Sequence, residues 1–201
     1  MIKKPEIKTP IKVGLTGSIG MGKTTVSNEI VKLKIPVWSA DTVVHELYKK
    51  TEDGYKIVKK LLPQAATNHE VDRTILADNL MKRPVFLERL EAKLKPLLKK
   101  SRETFIEENK LKRLLVFDIP LLFETKADIW LDKIIVVTTS KSTQKKRVMA
   151  RQGMTKEKFE YINSKQLSNQ KKIKKADFVL NTEVEFGILK REIKTLMEKI
   201  I

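Results

Sequence analysis

Four residues open the question of chemistry. Gly17, Gly22, Lys23 and Thr24 stand in the spacing G-x-x-x-x-G-K-[ST] within "GLTGSIGMGKTTV". Each type has a use at a polyphosphate. Glycines let the backbone turn tightly and bring its N–H groups against phosphate oxygens. Lys23 is expected to reach the β- and γ-phosphates, and the Thr24 hydroxyl to ligate Mg²⁺. The nucleotide contacts then run along the whole loop: Gly17, Ser18, Ile19, Gly20, Met21, Gly22, Lys23, Thr24 and Thr25. The loop follows the strand-like "IKVGLT" and opens the helical "KTTVSNEIVKLK", whose Val26, Ile30 and Leu33 share a face. A helix N-terminus behind the loop adds its dipole to an anion site.

The loop alone leaves three chemistries open: a GTP switch, an ATP-driven motor and a kinase. "TKAD" (Thr125–Asp128) imitates a guanine-reading motif. A GTP switch also needs D-x-x-G, and none of the seven glycines has Asp three positions before it. A motor commonly carries Asp-Glu at the end of a buried strand, the Glu activating water. Here "LLVFDIP" gives Asp118 followed by Ile119. Asp118 is a candidate for holding Mg²⁺ through water, but the adjacent base is missing. Transfer to an acceptor other than water remains.

The elements that must position these groups are also legible. Apolar runs "IKVGLT", "IPVW", "RLLVFDIP", "KIIVVTT" and "DFVLN" alternate with helical stretches. Several are nearly continuous, as suits strands buried on both faces. They predict an α/β fold: a five-stranded parallel sheet flanked by helices, with ligands at the carboxyl ends of the strands. Residues 42–110 carry no strong strand pattern. Leu87, Leu90, Leu94, Leu97 and Leu98 recur at helical spacing as core, and Pro96 is expected to start a new helix. An all-helical insertion of this length suggests a region for a second substrate.

Composition narrows the class. The chain has 201 residues, no cysteine and two histidines, which argues against a disulfide framework and a zinc site. It has no run of 18 apolar residues, and "MIKKPEIKTP" lacks the apolar core of a signal peptide. A cytoplasmic enzyme is the expectation, with no membrane and no obligate protein partner. The net charge is +17, yet 34 of the 42 basic residues are Lys, spread along the chain. A Lys-rich solvated surface explains this best; attraction of anionic metabolites comes second and nucleic acid last. With only eight Arg, each Arg is worth testing, because its planar fork has no Lys equivalent at phosphate.

One family gathers these pieces. "TGSIGMGKTT", "VWSAD", "VDR" (Val71–Arg73), "VFDIPLLFE", "KKRVMARQGMTKEKFEYINSKQ" and "ADFVLNTE" together resemble dephospho-coenzyme A kinase, from Ile11 to about Glu183. The resemblance implies a P-loop core like that of nucleoside monophosphate kinases, residues 1–41 and 111–201. It also implies a mobile lid at about 147–172 and a helical acceptor domain at 42–110. The implied reaction moves the γ-phosphoryl of ATP to the ribose 3′-hydroxyl of dephospho-CoA. Four positions depart from the family pattern: Ser18 replaces Gly, Met21 replaces Ser, Ser39 replaces the first Asp of "DAD", and Lys95 replaces His. Ser18 and Met21 both precede Gly22-Lys23, where their side chains can point outward.

Roles follow, each beside a plainer alternative. Arg147 and Arg151 are four apart and share a face on a helix, where they reach the phosphates or merely solvent. Gln166 either meets the acceptor or decorates the lid helix. Asp41 follows "IPVW" and is the candidate base for the acceptor hydroxyl, or else the N-cap of "TVVHELYKK". Pro120, Leu121 and Leu122 form an apolar wall beside the acceptor with Glu124 at its rim, or are core. Arg73 binds acceptor phosphate, or pairs with Asp72 at a helix start. The competing functions are another small-molecule or nucleotide kinase of this fold and, behind it, a basic nucleic-acid-binding ATPase.

Overall fold

The structure, a computed structural model, describes residues 9–201, so the basic opening stretch lies almost wholly outside the described residues. Among the described residues five strands are present: β1 (Ile11–Thr16), β2 (Val37–Ser39), β3 (Leu114–Asp118), β4 (Lys133–Thr138) and β5 (Phe178–Asn181). The helices are α1 (Lys23–Lys32), α2 (Ala40–Leu47), α3 (Asp53–Leu61), α4 (Arg73–Lys82), α5 (Pro84–Glu108), α6 (Lys141–Met149), α7 (Lys156–Ser164), α8 (Asn169–Lys174) and α9 (Phe186–Ile200). Contacts divide the chain into two units, Met1–Trp38 with Asn109–Ile201, and Ser39–Glu108.

The first unit is built on the sheet, in the order β2-β3-β1-β4-β5. Val13 pairs in parallel with Val116, Leu15 with Ile135, and Val137 with Leu180. The expected five-stranded parallel sheet flanked by helices is therefore the fold. Every residue of β3 is buried, which is why "LLVFD" reads as a continuous apolar run rather than an alternating one. On one face Val26 and Ile30 of α1 and Leu189, Ile193 and Met197 of α9 pack with Val13, Leu15, Ile135 and Val137 in one core. The α9 residues recur every four positions, so one stripe of that helix faces the sheet. Leu33 departs from its expected place: it is the C-cap of α1 and more than a third exposed, because the helix ends before its turn can face inward. From β1 the chain runs toward β2, and from the neighbouring β4 it runs the opposite way, to β5. The carboxyl ends of β1 and β4 thus flank a switch point, where ligands of such sheets bind.

The second unit is helical, with two isolated β-bridges. Its core gathers Tyr48, Tyr55, Val58, Leu62, Leu76, Leu90 and Leu94. Tyr55 donates its hydroxyl to the Thr67 carbonyl at 2.6 Å. Burial pushes the Tyr48 phenol up to about 12, a shift that the charge of Arg73 partly opposes. Pro96 does not start a helix; it lies inside α5, which runs for 25 residues. Its ring removes one helical hydrogen bond, to the carbonyl of Ala92. Ala92 and Pro96 are both exposed, so water can satisfy that carbonyl. Leu90 and Leu94 before the proline and Leu97 after it join the same core, which holds the helix through the interruption.

Candidate active site

The phosphate loop joins β1 to α1. Gly20 and Gly22 hold φ of 80° and 89°, which side-chain-bearing residues rarely adopt. A Cβ on Gly22 would also stand 2.8 Å from the Thr182 hydroxyl. Gly22 is the N-cap of α1 and brings no side chain to cap it. The first N–H groups of the helix therefore face the loop with their partial positive charge, an arrangement suited to an anion.

Neighbouring elements clamp the loop by its backbone. Ile19 donates its N–H to Gln166 Oε1 at 3.0 Å and accepts from Gln144 Nε2 of α6 at 2.8 Å. The Thr182 hydroxyl, just past β5, donates to the Met21 carbonyl at 2.9 Å. Ser18 and Met21, whose side chains could have pointed outward, are buried. The loop folds over its own side chains, with the Met21 N–H donating to the Ser18 carbonyl at 3.1 Å. Both departures from the family pattern thus occupy interior space.

Charge concentrates below the loop. Lys23 Nζ forms an ion pair with Asp118 Oδ1 at the carboxyl end of β3, and both side chains are largely buried. Lys172 of α8 is fully buried. Its Nζ lies 3.0 Å from Glu124 Oε1 and donates to the Pro120 carbonyl at 3.2 Å. Burial pushes the Lys172 pKa down, Glu124 pulls it back up, and the charge of Lys23 adds to the depression. Thr16 Oγ1 donates to the same Pro120 carbonyl at 3.1 Å. Thr24 is exposed at the start of α1. Among the described residues no group of three or more acidic, His or Cys side chains gathers, so an all-protein metal cage is absent. Mg²⁺ needs none: it takes one or two protein oxygens together with waters and substrate phosphates. The hydroxyl of Thr24 and the carboxylate of Asp118 are hard oxygen donors and fit that demand.

Several expected positions move. Arg147 lies on α6 and sets its fork on Thr182, Nη1 to the hydroxyl at 2.7 Å and Nη2 to the carbonyl at 2.8 Å. Through Thr182 it touches the loop. Arg151 does not share that helical face. α6 ends at Met149 with Ala150 as C-cap, and Arg151 is exposed in the turn beyond. Gln166 lies past the end of α7 and meets the phosphate loop, not the surface of the lid helix. Leu122 is fully buried, and its Cδ1 fills the space beside Gly14. It is core, and of the three residues expected to form an apolar wall only Pro120 and Leu121 are partly exposed. Glu124 is not a rim residue: it accepts from the Leu167 N–H at 2.6 Å and pairs with Lys172.

In the second unit, Asp41 is exposed in the first turn of α2, and the cap it was weighed against belongs to Ser39, whose hydroxyl accepts from the Thr42 N–H. Arg73 is exposed at the first turn of α4. The neighbouring Asp72 caps that helix, accepting from Thr74 and Ile75, and so serves the backbone.

Lys172, Gln144, Thr182 and Glu183 were not singled out from sequence. "KKIKK" reads as a solvated run, and nothing in its composition separates Lys172 from its neighbours. Glu183 gathers four hydrogen bonds. Its carboxylate accepts from Ser140 N–H and Oγ at 2.8 Å each, from Thr143 Oγ1 at 2.5 Å and from Thr139 Oγ1 at 3.3 Å. The Thr143 hydroxyl and then the Ser140 groups hold its pKa down to about 2. These bonds tie the loop after β5 to the N-terminus of α6, the helix that carries Arg147.

Comparison with known proteins agrees across the chain. A family profile described as dephospho-CoA kinase matches residues 11–186. The dephospho-CoA kinase of Agrobacterium fabrum is 36% identical over 94% of this chain and 98% of its own length. That of Rhizobium meliloti is 38% identical with the same coverage. A solved structure from Thermus thermophilus superposes with a TM-score of 0.79 at 31% identity, covering 96% of this chain and all of that one. A dephospho-CoA kinase structure from Campylobacter jejuni has a TM-score of 0.63 at 23% identity, a likeness of fold. The glycine loop, the lysine and aspartate beneath it and the end-to-end match make one statement: this chain belongs to the dephospho-CoA kinase family.

Proposed function

We propose that the protein transfers the γ-phosphoryl group of ATP to the ribose 3′-hydroxyl of dephospho-CoA, giving coenzyme A and ADP. The observation that carries this reading is the family match over residues 11–186, joined to a clamped phosphate loop with a buried lysine beneath it. The acceptor oxygen forms a new bond to the γ-phosphorus while the bond to the β,γ-bridging oxygen breaks. The acceptor hydroxyl proton passes to the Asp41 carboxylate.

Such transfer needs positioning and charge neutralisation more than covalent help from the protein. The loop N–H groups from Gly17 to Thr25 orient the donor. Lys23 leaves Asp118 for the phosphates as ATP enters. Thr24 and Asp118 would hold Mg²⁺, which would supply charge neutralisation to the donor phosphates. Arg147 and Arg151 meet the charge that develops on the transferring group. On the acceptor side, Asp41 serves as base, Arg73 as phosphate contact, Pro120 and Leu121 as apolar wall, and Glu124 and Gln166 as polar contacts. The substrates of the proposed reaction suit a cytoplasmic enzyme. Among the described residues no helix is long and apolar enough to cross a membrane.

The test is ADP release across a panel of acceptors: dephospho-CoA, nucleoside monophosphates, shikimate, RNA and none. Dephospho-CoA alone should stimulate release, with the product carrying its new phosphate on the ribose. Equal release without acceptor would make the protein an ATPase and overturn the reading.

A further inference from the structure

A fully buried lysine needs a reason. Lys172 gives up solvation and gains two partners, and both belong to the segment after β3. It meets Pro120 through the carbonyl and Glu124 through Oε1. The same Glu124 oxygen accepts from the Leu167 N–H, while Glu124 Oε2 is buried with no hydrogen-bond partner. An acceptor oxygen held out of water is satisfied only when something donates to it. The lysine itself stands on a fixed base, because Asn169 in the same helix donates Nδ2 to Thr138 Oγ1 of β4 at 2.7 Å. One residue before Leu167, Gln166 takes the Ile19 N–H of the phosphate loop. The contacts run from β4 through α8 to the segment after β3 and on to the phosphate loop, all within one unit.

We propose that Lys172 is a positioning residue. By holding the Pro120 carbonyl and Glu124 Oε1, it fixes the segment after β3 and leaves Glu124 Oε2 to accept a hydrogen bond from a hydroxyl or amide of the bound acceptor. This rests on the kinase reading above. Lys172 touches neither substrate; it acts through Glu124. A bland alternative, a lysine that only supports folding, would change the amount of folded enzyme and leave its Michaelis constants alone.

The experiment is a double-mutant cycle on the full chain: parent, Lys172→Met, Glu124→Gln and the double variant. Each is assayed for kcat and for the KM of ATP and of dephospho-CoA, with melting temperature measured alongside. Misplacing a reacting group by about 1 Å costs on the order of 100-fold. Lys172→Met should therefore lower kcat/KM for dephospho-CoA by about that factor, with KM for ATP within about threefold of the parent, a split that isolates acceptor-side binding. Glu124→Gln should fall similarly, and the double variant no further, because the two act as one unit. Removing one member of a buried pair can cost the fold. If Lys172→Met does not fold, the neutral double variant decides: normal acceptor kinetics there overturn the proposal. Additive losses, or KM for ATP rising in step with that for dephospho-CoA, overturn it too. A parent that phosphorylates no dephospho-CoA removes the kinase reading and the positioning role with it; an active parent with an unimpaired, folded Lys172→Met removes the positioning role alone.

Discussion

Ser39 and Asp41 sit two residues apart at the start of α2, and either type can cap a helix. The hydrogen bond from Thr42 assigns the cap to Ser39 and leaves the Asp41 carboxylate without that duty. This separates two roles that sequence left joined. Asp41→Asn should lower turnover by about 10²–10⁴, the usual worth of a general base, with no change in melting temperature. Ser39→Ala should do the reverse, costing about 0.5–2 kcal/mol of stability while the folded fraction turns over normally. Turnover of Asp41→Asn within about threefold of the parent would exclude it as base, since it falls far short of that loss. At this scale sequence gave residue types and not their company. The motif fixed Lys23, but only folding brings Asp118 to it across the width of β1 and β3. Lys172 went unread for the same reason: burial is not written in a lysine's neighbours.

At the scale of elements, α6 shows where local periodicity runs out. Arg147 and Arg151 have helical spacing, yet the helix stops between them and the chain turns on, through Gly153 at φ 71°. Helix ends are set by caps, and the cap that starts α6 comes from afar. Ser140 caps Thr143 locally, and Glu183, from the loop after β5, binds Ser140, Thr143 and Thr139 at once. No sequence window spans forty residues of separation. The Glu183 carboxyl is held below its unfolded value of 4.5, near 2, by those donors. A depressed acid contributes stability that is complete above the unfolded pKa and disappears as pH falls through the folded one. The stability gap between the parent and Glu183→Gln should thus be full at neutral pH, begin to narrow near 4.5 and close toward 2. Denaturant midpoints measured in parallel across that range would show it, and a gap independent of pH would deny the carboxylate its capping role. Arg147→Lys tests the same helix from its other end. Lys retains the charge but loses the fork that meets Thr182 at two atoms. Turnover should fall by about 10²-fold or more, with ATP affinity reduced only modestly. Equal losses in both would confine Arg147 to ground-state binding.

At the scale of the molecule, the sheet was the most legible feature, because buried parallel strands must be apolar throughout. All five apolar runs became strands. Pro96 was the least legible, since a proline inside a helix is tolerated only where water and packing on both sides permit it, and neither is local. The net charge belongs to this scale too. The chain carries an excess of 17 positive charges on 201 residues, and most described lysines are exposed. On the kinase reading, both substrates are anions. A field of that sign raises the encounter rate of anions, and salt screens it over a Debye length of about 10 Å at 0.1 M. kcat/KM for ATP and for dephospho-CoA should therefore fall several-fold, roughly in parallel, as salt rises from about 0.02 to about 0.5 M. kcat itself should stay nearly level if the phosphates bind, as proposed, among the largely buried groups around Lys23, where screening is weak. A fall in kcat with constant KM would instead place the salt effect on the chemistry or on a conformational step. Competing RNA separates a general field from a built surface. At about 0.15 M salt, a micromolar excess of unstructured RNA should leave kcat/KM unchanged within about twofold, because dispersed lysines provide charge without base-stacking aromatics or a continuous groove. Strong inhibition there would mean that the basic surface is a nucleic-acid site in its own right.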